Sequence, residues 1–497
     1  MIGRRDALKG IAVAAALAAC GTEDEVPPPV DPVFGHGVAS GDPLSNAVIL
    51  WTRISSTATA PVTGRWQIAE DATFARVVAS GTFETNADRD YTVKVDAIGL
   101  APATTYYYRF LVRERASMTG RTRTAPIDAR PVRFAVVSCA SLPHGYFHAY
   151  RALARRPDID AVLHLGDYLY EYADGAYGSV RRSEPRHALQ TLADYRARYA
   201  QYRRDRDLQE VHRQHPFVCI WDDHEHIDNA YRDGTTGDNP ALGDWPARRS
   251  AAARAYSEWI PIRDQPDGRI WRSLRYGELV DLVLLDTRIW GRDIQLGPDD
   301  PGLADPARQL LGADQEVWLA AALRTSRARW KLVAQQVMMT AVPSWFRDDG
   351  WDDYPAARSR FYDVLEETPV RDVVVLSGDV HSSWASELSR GPGAPPLAVE
   401  LITPAVTSPG ASRRSAPALL ADAPWIKYVE LVRRGFMLVD VTARRVHAAW
   451  FHVDDVEDEQ GAATSFAAGY ATYAGDPRLV SEPEEPAVLV TAPLAPA

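Results

Sequence analysis

The chain has 497 residues, 66 of them acidic and 55 basic, for a formal net charge of −11. That length can supply two domains and one large core. The basic side chains are spread along the sequence, which argues against nucleic acid as a specific partner, and three cysteines are too few for a disulfide scaffold.

Residues 1–19 read as a signal peptide and are set aside from fold reasoning. Arg4-Arg5 precedes an uncharged run from Gly10 to Ala19, shorter than the roughly 20 apolar residues a spanning helix needs. The arginine pair resembles a twin-arginine (Tat) signal, a plain Sec signal being the alternative. Leu17-Ala18-Ala19-Cys20 resembles a bacterial lipobox, with Cys20 the lipidated residue and 20–33 a polar, proline-rich tether. The expectation is an exported protein, periplasmic or on the cell surface. It would use the Tat export machinery and be held to the membrane by its N-terminal lipid. No second long apolar run follows, so no transmembrane span is expected. Tat export carries folded proteins, often with a cofactor already inserted, and a free thiol in such a protein suits a metal ligand.

Residues 34–127 read as a small all-β domain of fibronectin type III or Ig-like kind. Ala47–Thr52 and Gly64–Ala69 are strand-like runs, and Thr92-Val93-Lys94-Val95 alternates with its valines on one face. Leu100 to Arg109, with Tyr106 to Tyr108, resembles the leucine-and-tyrosine corner of such sandwiches. The polar, proline-containing stretch Thr119 to Pro131 is the expected linker. From 132 to 460 the pattern becomes apolar strand followed by helix. Strand-like runs end at Ser138-Cys139, Gly166-Asp167, Asp222-Asp223-His224, Asp286, Gln335-Gln336 and Ser377-Gly378-Asp379. Helix-like stretches run from Leu189 to Val211 and from Gln315 to Trp330. The alternation predicts an α/β sandwich, whose ligands sit beyond the carboxyl ends of the strands. Residues 461–497 form a tail, rich in proline and acid, that either caps the active site or trails in solvent.

The strand ends carry the chemistry. Asp167 follows a glycine and can bridge two cations, and Tyr170, about one helical turn on, can face the same ion. In Asp379-Val380-His381, extended alternation would put carboxylate and imidazole on one face. Residues 221–229 crowd six ionisable groups, Asp222, Asp223, His224, Glu225, His226 and Asp228, behind an apolar strand, too costly to bury unpaired. Cys139 lacks the arginine that a tyrosine-phosphatase nucleophile needs six positions later, since residue 145 is glycine, and there is no Walker-type phosphate loop. Thiolate, phenolate, imidazole and carboxylate suit iron, and an oxygen-rich site suits calcium, magnesium or manganese. Cys219 reads as core packing.

In this order, Ser138-Cys139, Gly166-Asp167-x-x-Tyr170-Glu171, Trp221 to Glu225 and Ser377 to His381 resemble the PhoD-like alkaline phosphatase and phosphodiesterase family. Leu192 to Tyr199, Leu285 to Arg288 and Trp351 to Arg358 add to the match, which runs from about His36 to about Phe451. The resemblance implies a metallophosphoesterase-like α/β sandwich with a ferric iron and calcium centre. Cys139, Asp167, Tyr170 and His381 would hold the iron. Asp167 and Asp379 would reach the calcium with Asp223, Asn229 being a second candidate, and His224 would be catalytic. His226 is not part of the family pattern. Arg288 is either a phosphate clamp or a salt bridge. The implied reaction is hydrolysis of a phosphate mono- or diester by a metal-bound hydroxide, with the metals clamping the phosphoryl oxygens. A phospholipase-D-like or cell-wall-polymer phosphodiesterase with the same centre is the alternative, and a surface-binding lipoprotein is the alternative from another class.

Overall fold

The computed structural model describes residues 32–56, 60–236, 243–346, 349–367, 370–489 and 492–496. Arg4-Arg5 and Cys20, and with them the expected signal and most of the tether, lie outside the described residues. Among the described residues no helix is long and apolar enough to cross a membrane.

Three apolar strands form the parallel centre of a ten-stranded sheet: Val132–Val137, Ala161–His164 and Pro216–Cys219. All three are buried along their whole length, which is why they read as unbroken apolar runs rather than alternating ones. A seven-stranded sheet contains a second parallel run: Val280–Leu284, Trp330–Ala334, Val373–Ser377 and Ala398–Ile402. Side-chain alternation splits this sheet between two cores. Leu282, Leu284, Leu332 and Val374 pack into one core with Phe134, Val136 and Val162 of the first sheet. Val283, Val333 and Val375 face the other way, toward the helices Ala313–Thr325 and Pro355–Glu366. Helices Leu192–Tyr202 and Arg206–Gln214 supply Tyr195, Tyr199, Leu208 and Val211 to the first core. The layers are thus helix, sheet, sheet, helix, a mixed α/β architecture. Gln336 ties the two sheets at their carboxyl ends, its amide donating to the carbonyls of Trp221 at 2.6 Å and Leu285 at 3.0 Å.

The N-terminal region is all β, with the expected corner present: the Ala101 N–H donates to the Tyr106 hydroxyl at 2.9 Å. Its sandwich core contains Val48, Leu50, Trp66, Ile68, Tyr106 and Phe110. Yet its first strand, Val38–Gly41, pairs in parallel with Pro216–Cys219. One of its sheets is therefore the continuation of the ten-stranded sheet.

Three sequence expectations change. The stretch from Leu189 to Val211 is two helices, broken because the Asp205 side chain accepts from the Leu208 N–H and caps the second. The helix near Gln315 ends at Thr325, and Trp330 opens a strand instead. Among its described residues, the tail does not cover the strand carboxyl ends. Thr464–Tyr473 and Asp476–Ser481 extend the sheet edge. The chain then crosses the opposite end of the sheet: the Ala487 carbonyl accepts from Arg133, the Leu489 N–H donates to Asp158, and the Ala495 N–H donates to Gln214. Those partners stand at the amino ends of the three central strands, where a guanidinium, a carboxylate and a side-chain amide give an extended segment both donors and acceptors to bond.

Candidate metal centre

The chain turns sharply at each strand end. Cys139, Asp167, Asp379 and His381 all adopt left-handed backbone conformations, with φ of 59°, 54°, 63° and 54°. For residues with a Cβ this costs on the order of 1 kcal/mol or more each, so neighbouring contacts must hold them. Glu225 does this for the turn at Asp167. Its buried carboxylate accepts the N–H groups of Asp167 at 3.0 Å, Tyr168 at 2.8 Å and Asp222 at 2.8 Å. Burial pushes its pKa up to about 7 against the pull of those amides. Gly166, at φ 106°, has no room for a side chain, because a Cβ there would lie 2.4 Å from the Asp222 Cβ.

Three overlapping groups of donor atoms result, the atoms of each within 4.8 Å of one another: Cys139, Asp167 and His381; Asp167, Asp223 and His224; Asp222, Asp223 and Asp379. Tyr170 joins the first, its hydroxyl 2.9 Å from Asp167 Oδ2 and 3.2 Å from His381 Nε2. The Ser408 hydroxyl lies 2.7 Å from the same oxygen. Bonding of His381 Nδ1 to the Pro409 carbonyl at 2.9 Å assigns the ring proton to Nδ1 and leaves the Nε2 lone pair facing the cluster. Asp379 and His381 were expected on one face of an extended segment. They diverge instead, because both are left-handed, and they serve different groups.

The electrostatics call for positive charge. Burial, with the neighbouring acids, pushes the Asp167 and Asp379 carboxyls well above the usual range. Burial likewise raises the Cys139 thiol and the Tyr170 phenol, and lowers His381 to about 4. Asp223 falls to about 2: burial opposes ionisation, but Arg288 and His224 outweigh it. Asp167 Oδ1, Asp222 Oδ2 and Asp223 Oδ1 are buried without a hydrogen-bond donor among the described residues. Lone acceptors of this kind are expensive. Cations fit them: they would satisfy the orphaned oxygens and favour ionised thiol and phenol. The sulfur, phenol and imidazole donors form one chemical class, and the all-carboxylate group forms another.

His224 belongs to the group it forms with Asp167 and Asp223 and is 8% exposed. Its Nδ1 lies 2.8 Å from Glu171 Oε2, and the other Glu171 oxygen accepts the Asp228 N–H at 2.8 Å. Burial lowers the imidazole pKa, but Asp223, Asp167 and Glu171 overcome it and raise the value well above its ordinary one. Tyr170 and Tyr172 flank the ring, at centroid distances of 4.2 and 5.3 Å.

Of the two readings of Arg288, the structure favours the salt bridge. The buried guanidinium pairs with Asp222, with Asp349 and, at 2.6 Å, with Asp379, so its donors are taken up by the acid cluster. Asn229 is adjacent, its N–H donating to Asp223 Oδ2 at 2.5 Å, but its side-chain amide bonds Asp228 at 3.2 Å. His226 turns away from the cluster into the core, edge-on to Trp221 at 5.0 Å. Cys219 is buried in its strand, as expected. Sequence reasoning passed over Asp222, Glu171, Glu225, Asp349 and Ser408 as site residues. The first three lie inside the quoted motifs, where the crowding of acids was itself the signal; Asp349 and Ser408 arrive from distant loops with no local mark.

A family model described as PhoD-like phosphatase matches residues 134–450, and one for the N-terminal domain of PhoD-like phosphatases matches residues 19–126. Alkaline phosphatase D of Bacillus subtilis (strain 168) is 36% identical over 476 residues, covering 88% of this chain and 80% of the relative. A solved structure of PhoD superposes with a TM-score of 0.85 at 34% identity, covering 91% of this chain and 92% of the other.

Replacing Glu225 tests whether the left-handed strand ends depend on it. Glu225→Ala strips three buried N–H groups of their acceptor, at about 1–3 kcal/mol for each one left unsatisfied before relaxation. The expected outcome is an earlier denaturant midpoint together with less metal per chain by elemental analysis. Unchanged values of both would mean that the loops hold their shape without it.

Proposed function

The chain belongs to the PhoD-like phosphatase family, and is in that sense a phosphoric ester hydrolase; we propose that it hydrolyses phosphate mono- and diesters at the strand-end cluster with bound cations. The alternative of a surface-binding lipoprotein gives way to an enzyme. The observation that carries the reading is the overlap of the three donor groups through Asp167 and Asp223, since shared carboxylates are how adjacent cations are held close together. The layered sheets are read as the metallophosphoesterase sandwich. The domain reading keeps a β-sandwich at 34–127 and a catalytic domain at 132–460, with 1–19 as signal and 20–33 as a tether lipidated at Cys20 after Tat export.

Cys139, Asp167, Tyr170 and His381 would hold iron. Asp167, Asp222, Asp223 and Asp379 would hold calcium, or magnesium or manganese, with Asn229 in reserve. Such cations neutralise charge developing on phosphoryl oxygens and make bound water more acidic. The chain's own contribution is positional and protonic. Glu225 and Gly166 fix the strand ends, and Glu171 orients His224 through Nδ1 and favours its protonated form. His224 then has a proton at Nε2 to give to the departing oxygen. Arg288 holds Asp222 and Asp379 in place and offsets part of the cost of ionising them, cations supplying the rest.

The first test is turnover of p-nitrophenyl phosphate and of its bis ester, with and without chelator. Hydrolysis abolished by chelator, and lowered at least 100-fold in Asp167→Asn, is expected; turnover indifferent to both would refute the metal-centred reading. The substrate ratio then separates phosphatase from diesterase. Ferric iron bound by thiolate and phenolate should colour the concentrated protein, and Tyr170→Phe should shift or remove the visible band. A colourless, iron-free and fully active enzyme would sink that ligand assignment. The third test is a pH profile. Removing an anion beside His224 lowers its pKa, so in Glu171→Gln the alkaline fall of activity on esters with poor leaving groups should begin at lower pH. An unmoved limb would take the proton-donor role away from His224.

A further inference from the structure

A cleft of about 950 Å³ lies at the other end of the seven-stranded sheet, lined by Arg275, Arg327, Arg329, Lys331 and Arg371. Glu278 and Asp372 are the acidic residues in its lining. For a chain of net charge −11 this is a marked local reversal of sign. The charged residues come from three neighbouring places: the hairpin of Arg272–Tyr276 with Val280–Leu284, the approach to and start of Trp330–Ala334, and the approach to Val373–Ser377. Ser45, Pro126, Ile127 and Ala129 help complete the lining. The last three of these strands run parallel, so their amino ends collect on one side and the carboxyl ends, with the metal centre, on the other. One strand of five residues separates the two, about 15 Å.

Two of the cations in this cleft are partly engaged. Arg329 stands 3.6 Å from Asp372 and donates to the Ala443 carbonyl at 3.2 Å; Arg275 is 3.5 Å from Asp281 and donates to the Gly277 carbonyl at 3.2 Å. Among the described residues the side chains of Arg327 and Arg371 have no ion pair or hydrogen bond, and both are exposed. Lys331 is only 6% exposed, and its ammonium likewise has no bonded partner among the described residues. Burial lowers its pKa, and Asp372 and Asp281 only partly offset this. Its stem is covered, while the ammonium itself reaches the solvent of the cleft. Guanidinium groups present forked donors that match phosphate oxygens. The volume is at the upper end of small-ligand clefts, far more than one phosphate needs.

We propose that this cleft binds a soluble anion carrying several phosphate groups, an oligophosphate or a short phosphodiester chain, at a site separate from the metal centre. A concave volume of about 950 Å³ lined by five cations favours a ligand that enters the cleft over a flat membrane surface. Bound there, one part of a polymeric substrate would be retained while another part reaches the metals.

The experiment titrates full-length, metal-loaded protein calorimetrically with a methylene-bridged triphosphate analogue, in parallel with the Arg327→Ala/Arg371→Ala double variant. Neither side chain has a partner to lose, so unfolding midpoints should match; Arg371→Glu is the second variant should they differ. Expected is a binding event weakened at least tenfold in the variant, and weakened by salt in the wild type, with turnover of bis-p-nitrophenyl phosphate unchanged. Equal binding by both proteins would overturn the proposal. So would a variant-sensitive attachment to phosphatidylglycerol vesicles with no binding of the triphosphate, which would make the patch a membrane contact. Ester turnover is read separately, so failure of the cleft and failure of the metal-centred reading are distinguishable.

Discussion

The fold is organised around the need to bury more negative charge than the polypeptide itself can balance. Asp167, Asp222, Asp223, Glu225 and Asp379 are gathered where strands of two sheets end, with Arg288 as the guanidinium paired to Asp222 and Asp379. Such a cluster survives only if each oxygen finds a compensating group. Part of the compensation is internal: backbone amides on Glu225, Arg288 on Asp222 and Asp379, Glu171 against His224. The remainder, the orphaned oxygens of Asp167, Asp222 and Asp223, has the form of a demand for cations.

That demand explains the backbone. Side chains can converge from several strands only if each chain turns abruptly as it leaves its sheet, and four of the donor residues turn through left-handed conformations. The strain is affordable because the two sheets share a core and are cross-linked at the same edge by Gln336. A rigid double layer thus fixes where the donors stand, and short irregular segments fix how they point.

The two ends of the layered sheets have opposite character. The carboxyl ends carry acids, and the amino ends carry cations, both exposed and buried, together with the C-terminal segment, which bonds to Arg133 and Gln214. The N-terminal β region is joined to this frame by a parallel strand pair, so it braces the ten-stranded sheet as well as forming its own sandwich.

Local chemistry along the chain determined a good deal by itself. Buried strands announce themselves as apolar runs, and a carboxylate, thiol or imidazole directly after such a run has few inexpensive fates, so the strand ends at Cys139, Asp167, Asp223, His224 and Asp379 stood out locally. Gathering them with Tyr170 and His381 into one set needed the ordered motifs that resemble PhoD-like phosphatases. The corner at Tyr106 was legible for the same reason, since it depends on neighbours only a few residues away. Tertiary structure alone decided the rest. Asp379 and His381 parted because two left-handed residues break the strand period. Arg288 met Asp349 across 61 residues, and Ser408 met Tyr170 across 238. The basic residues, dispersed in sequence, gathered because parallel strands bring their starting points to one side. Period and composition report what a residue does to its immediate neighbours; which distant side chain completes its charge is fixed only when the sheets are packed.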